Sequence, residues 1–587
     1  MFQRLHELSQ CLPERPAWER LNEGMPDNYD RGLAVTFDEQ GCWVGVKSVT
    51  GNQGVVYRSG PPNGTDLTPC CKLAGNTANR LLGAVANLAA FPELPERKRA
   101  WLSACLEEFG QRKDEIWAAV ETAQQQAGVN AEHRGYVFVA AAPSLERVYA
   151  WPETRDFLVS QSLERFADKG GARKDGHCAV CNGSAAVYGN YSVLACYNLD
   201  KPGSIAGGFS ASNAHRNLPV CGQCALAVAD AFTFAETYLT SSMGGQSYLV
   251  LPYANAPAVR EELTHALREH PDRYRLGSAN DLLAAEMELV KAFQGSGDQL
   301  AFALVFFKAE NAAWRIQAEV QQVLPSRLRI LRNAARKIAR AADLTTETKE
   351  ETKPLAITAM TFKNFAGVAE KTSAETFRGW LVALFEGQPI DSRHFLHHLV
   401  AKLVHTGKAK PDLLHWMTLQ AWGLYRYAVL TGLIQINPTT SQQDALMQAV
   451  TPASAYGRYI QEHGEFFNAP ELVVAFLTGC YAAQVASVQR QERGADPFTK
   501  KFIGRLLPRT HLQRLYREGH GKLAQYGKLA YVIKDLDPDL AAAWVACGER
   551  WTISDEQATF AFTLGYSLAY RIRQLDSENS ENSDDNE

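Results

Sequence analysis

The chain has 587 residues, of which 46% are apolar and 21% charged, with a formal net charge of −4. That length exceeds what one hydrophobic core sustains, so several domains are expected, and the 12 scattered cysteines show no disulfide framework. The start, Met1-Phe-Gln-Arg-Leu-His-Glu7, lacks the apolar core of a signal peptide, and the greasiest run, Leu81 to Phe91, is too short to cross a bilayer, so a cytoplasmic protein with no membrane contact is expected.

In chain order, the first third reads as mixed α/β. Leu33 to Phe37 and Cys42 to Val49 alternate across a polar turn, Asp38-Glu-Gln-Gly41, and predict a hairpin. Gly54 to Tyr57, Tyr136 to Val139, Tyr248 to Tyr253 and Phe302 to Phe307 predict further strands, with helices over Asn79 to Leu88 and Arg97 to Glu108. From about Ala309 strands almost vanish and helical periodicity runs to Tyr570. The expected class is α+β. An N-terminal α/β domain spans 1–165, a zinc-ribbon insertion 166–245, and the remaining α/β part with a basic helix 246–343. A polar linker at 344–356 precedes a helical region at 357–446, a helical bundle at 447–575 and a disordered acidic tail at 576–587.

Two Cys-x-x-Cys pairs, Cys178/Cys181 and Cys221/Cys224, carry the most specific chemistry. Each pair brings two thiolates to one knuckle, and two knuckles supply the four sulfurs that tetrahedral Zn²⁺ prefers. Thioredoxin-like redox motifs use one such pair, not two. Four protein ligands leave no open position, so the expected ion is a structural Zn²⁺. The 39 residues between the pairs imply a ribbon elaborated by strands, Ala185 to Tyr188 and Ser192 to Tyr197. Cys196 reads as core, and His177 as no ligand.

Catalytic motifs are scarce. The chain has no phosphate loop and no His-Asp dipeptide, and Ser242-Met-Gly-Gly-Gln246, the nearest approach to a polymerase-like Gly-Gly-Asp-Asp turn, lacks the carboxylates. His394 and His398 sit one helical turn apart, with His397 beside them, but the glutamate of His-Glu-x-x-His is missing. A non-enzyme is expected. The alternative is a nucleic-acid-processing enzyme with these histidines as a metal site.

Charge is uneven. Residues 576–587 hold six acids and no base, whereas Arg315 to Arg340 holds seven Lys/Arg against one Glu, and Arg490 to Lys528 ten against three acids. After Pro325-Ser326, Arg329, Arg332, Arg336 and Arg340 follow at spacings that put them along one helix face, with Leu328, Leu331, Ala335 and Ile338 opposite. Guanidinium forks suit phosphates, so this helix, with Arg327, is a candidate nucleic-acid contact. The second segment adds Lys500, Lys501, Arg505, Arg509, Arg514 and Arg517 as candidate backbone contacts, interleaved with apolar residues.

Several stretches together resemble the large subunit of the type I-B CRISPR surveillance complex, Cascade. They are Cys178-Ala-Val-Cys181, Tyr197-Asn-Leu-Asp-Lys-Pro-Gly203, Gly207-Gly-Phe209 and Asn217 to Cys224, then Phe306 to Trp314 leading into Val323 to Leu328. Towards the C-terminus follow Phe476-Leu-Thr-Gly479, Pro497-Phe498, Tyr526-Gly-Lys528 and Ser554 to Gly565. The resemblance implies a non-catalytic subunit that joins the crRNA-bound backbone subunits and inspects the protospacer-adjacent motif. It also implies help in opening double-stranded target DNA, handling of the displaced strand and recruitment of a separate helicase-nuclease. It further implies that the C-terminal helical region resembles the small subunit, which is often translated separately from an internal start, here Met447 or Met417. Asn76, Asn79 and Arg80, in Gly75 to Arg80 at a helix start, are candidate motif readers.

Overall fold

The computed structural model describes residues 1–60, 64–74, 77–167, 171–189, 194, 196–197, 213–269, 297–310, 313–347, 352–367, 373–436, 454–530, 534 and 536–584. The chain is α+β and forms two compact units. The first comprises Phe2–Phe234 and Ala309–Arg315, the second Met1, Ala235–Lys308 and Ile316–Glu587.

The first unit is centred on a sheet of β1 (Arg31–Phe37), β2 (Trp43–Thr50), β3 (Cys70–Lys72) and β4 (Gly135–Ala141) in the order β2-β1-β4-β3, with β5 (Glu146–Arg147) beside β4. β1 and β2 form the hairpin expected from the alternation. Asp38 Oδ1 accepts from the Gln40 and Cys42 amides, and Gly41 takes a positive φ where a side chain would collide with Ala104. β1 pairs parallel with β4, Val35 opposite Val139. A parallel pair needs a long crossover, and the helices Thr77–Ala89, Glu96–Gln111 and Lys113–Gln126 lie in that connection. Their apolar stripes, including Leu81, Val85, Leu102, Phe109, Ile116 and Val120, close over Leu33, Val35, Phe37, Val137 and Val139. Gly54 to Tyr57, expected as a strand, joins no sheet: Gly54 sits in a turn at φ 73° and Val55 to Tyr57 pair with no strand.

A second sheet follows the Cys-x-x-Cys spacing: β6 (Ala172–His177), β7 (Ser184–Tyr188) and β8 (Val220–Cys221) in sequence order, all antiparallel. Most of the stretch between Tyr188 and Asn213 lies outside the described residues; of the strand expected at Ser192 to Tyr197 only Leu194, Cys196 and Tyr197 are described, and none of them is in a strand.

In the second unit, β9 (Thr240–Met243), β10 (Gln246–Ala254), β11 (Leu300–Glu310) and β12 (Ala313–Val323) form a sheet in the order β12-β11-β10-β9. β12 corrects the expectation that strands end near Ala309. Trp314, Ile316, Ala318 and Val320 alternate with Arg315, Gln317, Glu319 and Gln321, so the period-2 signal was there, overlaid by the charge count. Two short strands, β13 (Thr346–Glu347) and β14 (Thr352–Lys353), pair within the polar segment at 344–356.

Thereafter the described chain is helical. Pro470–Arg493, and not Leu81 to Phe91, is the helix with the length and composition of a membrane span, and 94% of its apolar window is buried inside the protein. It packs along Asp555–Asp584. The hydroxyls of Thr478, Thr559 and Thr563, buried or half-buried in these helices, donate to carbonyls one turn back, which satisfies them without a partner across the interface. The last helix continues into the acidic segment as far as Asp584, and Arg458 pairs with Asp576 there.

Candidate metal centre and nucleic-acid interface

Cys178 follows β6 directly, Cys181 closes its turn, Cys221 ends β8, and Cys224 lies in the first turn of the helix Gly222–Tyr238. The first knuckle reverses the chain through Asn182 in the left-handed region (φ 57°), with Asn182 N donating to Cys178 O and Cys178 N to Gly183 O, both at 2.9 Å. Ala179 N donates to Pro219 O at 2.7 Å, which ties one knuckle to the other. Beneath them Gly176 is required, because a Cβ there would sit 2.3 Å from the Val187 side chain.

This framework gathers the four sulfurs within 4.8 Å of one another, with Cys181 and Cys221 Sγ 4.0 Å apart. Metal–sulfur bonds of about 2.3 Å in a tetrahedron place the sulfurs about 3.8 Å apart, so the set fits an ion with small adjustment. The electrostatics agree. Burial opposes ionisation of Cys178, but amides around it, those of Val180 and Cys221 among them, donate to its sulfur and bring it down to about 7. Burial and the neighbouring sulfurs push Cys221 and Cys224 up. Four thiolates therefore coexist only around a cation, and these four cysteines can hold a metal ion. Cys196 is no part of the set, its thiol raised by burial to about 11, and His177 points to Ser184 Oγ at 3.1 Å.

The histidine cluster behaves differently. His394 and His398 stack edge to face on the helix Ser392–Ala409 with ring centroids 4.7 Å apart, and His397 faces Glu556 at 3.7 Å. Among the described residues the four cysteines are the one group of three or more ligand atoms close enough for an ion, so the metal site expected under the enzyme alternative does not assemble here.

The basic helix forms over Pro325–Ala339, started by Pro325 at its first turn. Leu328, Leu331, Ala334, Ala335 and Ile338 are buried, whereas Arg329, Arg336 and Arg340 are exposed and Arg332 half-exposed. None of these four arginines forms an ion pair among the described residues, although one atom of Arg332, Nε, is buried without a hydrogen-bond partner. Arg327 is a correction. One turn earlier its guanidinium turns inward, donating to Leu384 O at 2.8 and 2.5 Å and to Thr431 O at 2.7 Å, and so ties three helices.

The second basic segment divides likewise. Lys500, Arg505 and Arg517 are exposed. Lys501 and Arg514 share Glu518. Arg509 caps the end of the helix Asp537–Cys547 through Gly548 O and Glu549 O and lies over the rings of Trp544 and Trp551. Of the candidate motif readers, Arg80 turns onto buried Asp66, Asn79 accepts from Lys113 Nζ at 2.7 Å, and Asn76 lies outside the described residues. Arg80 and Arg509 are thus engaged by the protein itself, for partners that no local spacing discloses.

Comparison with known families assigns the chain its class: it is a CRISPR-associated protein. Residues 175–323 match the family model of the central domain of CRISPR-associated protein TM1802, and residues 365–580 match that of the same family's C-terminal domain. The two matches together span more than half of the chain, which belongs to the TM1802 family. The central match begins three residues before Cys178 and ends with β12. No curated protein matches the chain.

Proposed function

We propose that this chain is the large, non-catalytic subunit of a type I-B crRNA-guided Cascade complex. In this reading it contacts target DNA, inspects the protospacer-adjacent motif, supports R-loop formation and helps to recruit the helicase-nuclease. The observation that carries it is the face of Arg329, Arg332, Arg336 and Arg340, unpaired among the described residues, in a CRISPR-associated chain. Burial of the opposite stripe fixes the helix, so the four arginines are carried on one side of it, where guanidinium forks suit phosphate oxygens. Lys500, Arg505 and Arg517 offer a second set of contacts. The four-cysteine centre holds Zn²⁺ as a structural ion, bracing β6 to β8 and the helix behind them. Partners in this reading are the crRNA-bound backbone subunits, the displaced strand, the effector and a small subunit. An internal start for that subunit falls at Met447, outside the described residues, or Met417, within the helix Leu414–Leu430.

The test is charge reversal on the assembled complex. Arg329→Glu, Arg332→Glu and Arg336→Glu together should weaken target-DNA binding steeply while leaving the melting temperature near wild type. Wild-type binding by that variant overturns the interface, and turnover of a nucleic-acid substrate by the purified chain overturns the non-catalytic reading.

A further inference from the structure

The turn between β9 and β10, Met243-Gly244-Gly245-Gln246, is the motif that resembles a polymerase turn without its carboxylates. Both glycines have positive φ, 56° and 81°, and Gln246 pairs with Met243, so the turn is a two-residue hairpin of the kind that matches strand twist. Gly244 is buried and fills its place completely, since a Cβ would lie 2.6 Å from the Phe377 ring. Gly245 is exposed, and its amide makes no hydrogen bond among the described residues.

Two cations flank this tip. The exposed ammonium of Lys363 comes within 3.2 Å of where a Gly245 Cβ would stand. Lys363 is held on the helix Ala359–Ala366, which a Thr358/Thr361 capping box starts. Arg378, on the helix Ser373–Glu386, places Nη1 3.4 Å from Gln246 Oε1. Neither cation has an acidic partner among the described residues, and Glu375, three residues before Arg378, does not pair with it. The arrangement is an exposed turn with an unbonded backbone amide, flanked by an ammonium and a guanidinium, with no side chain on the glycine to keep an anion away. Those are the parts of a phosphate cradle.

We propose that the Gly244–Gly245 turn with Lys363 and Arg378 grips a phosphodiester of a bound nucleic-acid strand. This rests on the nucleic-acid reading above and adds a site to it. No run of charge marks the site, because Lys363 and Arg378 stand singly in apolar helices and only the fold brings them to the turn.

The experiment measures binding of fluorescein-labelled duplex and single-stranded 30-mers by the full chain and by the assembled complex across a salt series. Lys363→Gln and Arg378→Gln should each weaken binding severalfold and lower the slope of log K against log salt by about 1. Gly245→Asp should weaken it further, while Gly245→Asn, which accepts the same backbone but carries no charge, should weaken it less. Whichever probe loses more identifies the strand held. If wild type binds and all four variants bind equally well with unchanged slopes, the cradle is wrong and the arginine interface stands. If wild type binds neither probe, both fall.

Discussion

Gly479 and Gly565 face each other where Pro470–Arg493 crosses Asp555–Asp584. A Cβ on Gly479 would lie 2.0 Å from Phe562 O, and one on Gly565 would lie 2.0 Å from Phe476 O. Each glycine thus admits the backbone one turn before the other, and the approach is closer than larger residues permit. Gly479→Ala or Gly565→Ala should lower the stability of the second unit by roughly 1–3 kcal/mol or more, as overpacking does. Gly521, in a helix with nothing near its Cβ position, is the control. Gly521→Ala should be neutral or stabilising by up to about 1 kcal/mol. Equal melting temperatures for all three variants would remove the close crossing.

Metal removal should separate the four cysteines from the rest. Purified protein is expected to carry one zinc per chain by elemental analysis, lost in Cys221→Ser and retained in Cys196→Ser. Ligand sulfurs bind as thiolates, so acidification should release the ion and destabilise the ribbon. A metal content unchanged in Cys221→Ser would exclude this centre.

Arg327 and Arg329 sit two residues apart and should fail in different ways. Arg327→Ala strips the bonds to Leu384 O and Thr431 O, charge-assisted contacts typically worth about 1.5–3 kcal/mol each. It should lower the melting temperature. Arg329→Ala should leave melting unchanged and weaken DNA binding with a shallower salt dependence. Reversed phenotypes would show that the inward and outward assignments are exchanged.

Asp343 is buried beneath Arg426, whose Nη1 lies 3.0 Å from both its oxygens, with Tyr459 Oη donating at 2.9 Å and Trp422 Nε1 at 3.2 Å. Removing one partner of a buried pair strands the other, so Asp343→Ala should cost about 3–5 kcal/mol. Replacing Asp343 and Arg426 together by apolar residues should cost less than the sum of the single changes. Additive losses in that cycle, read by thermal unfolding, would mean the two do not act as a pair.

The cysteine centre was legible because its ligands come as two local knuckles, whose spacing encodes the chemistry before any folding. β1, β2, β4, β10 and β11 were legible from runs such as Leu33 to Phe37 and Phe302 to Phe307, where strand period or apolar composition stands out. The arginine helix was legible as an amphipathic stripe, since Leu328, Leu331, Ala335 and Ile338 repeat at helical spacing. What failed to show was which basic residues remain available: Arg327, Arg509 and Arg80 look like their neighbours in sequence, yet Leu384 O, Gly548 O and Asp66 claim them.

By itself, then, the order of residues determined most of the helices and strands, β12 and Gly54 to Tyr57 excepted, which four sulfurs belong together and which helix carries a basic stripe. The elements and the stripe depend on interactions within a few turns, and each cysteine knuckle on a turn of four residues, two such knuckles being enough to mark one centre across the 39 residues between them. The tertiary structure alone decided that Gly479 meets Gly565, that Asp343 receives Arg426, and that Lys363 and Arg378 arrive at the Gly244–Gly245 turn. Those pairings join positions tens to more than a hundred residues apart, and only the packing of buried faces selects one partner among many of the same chemistry.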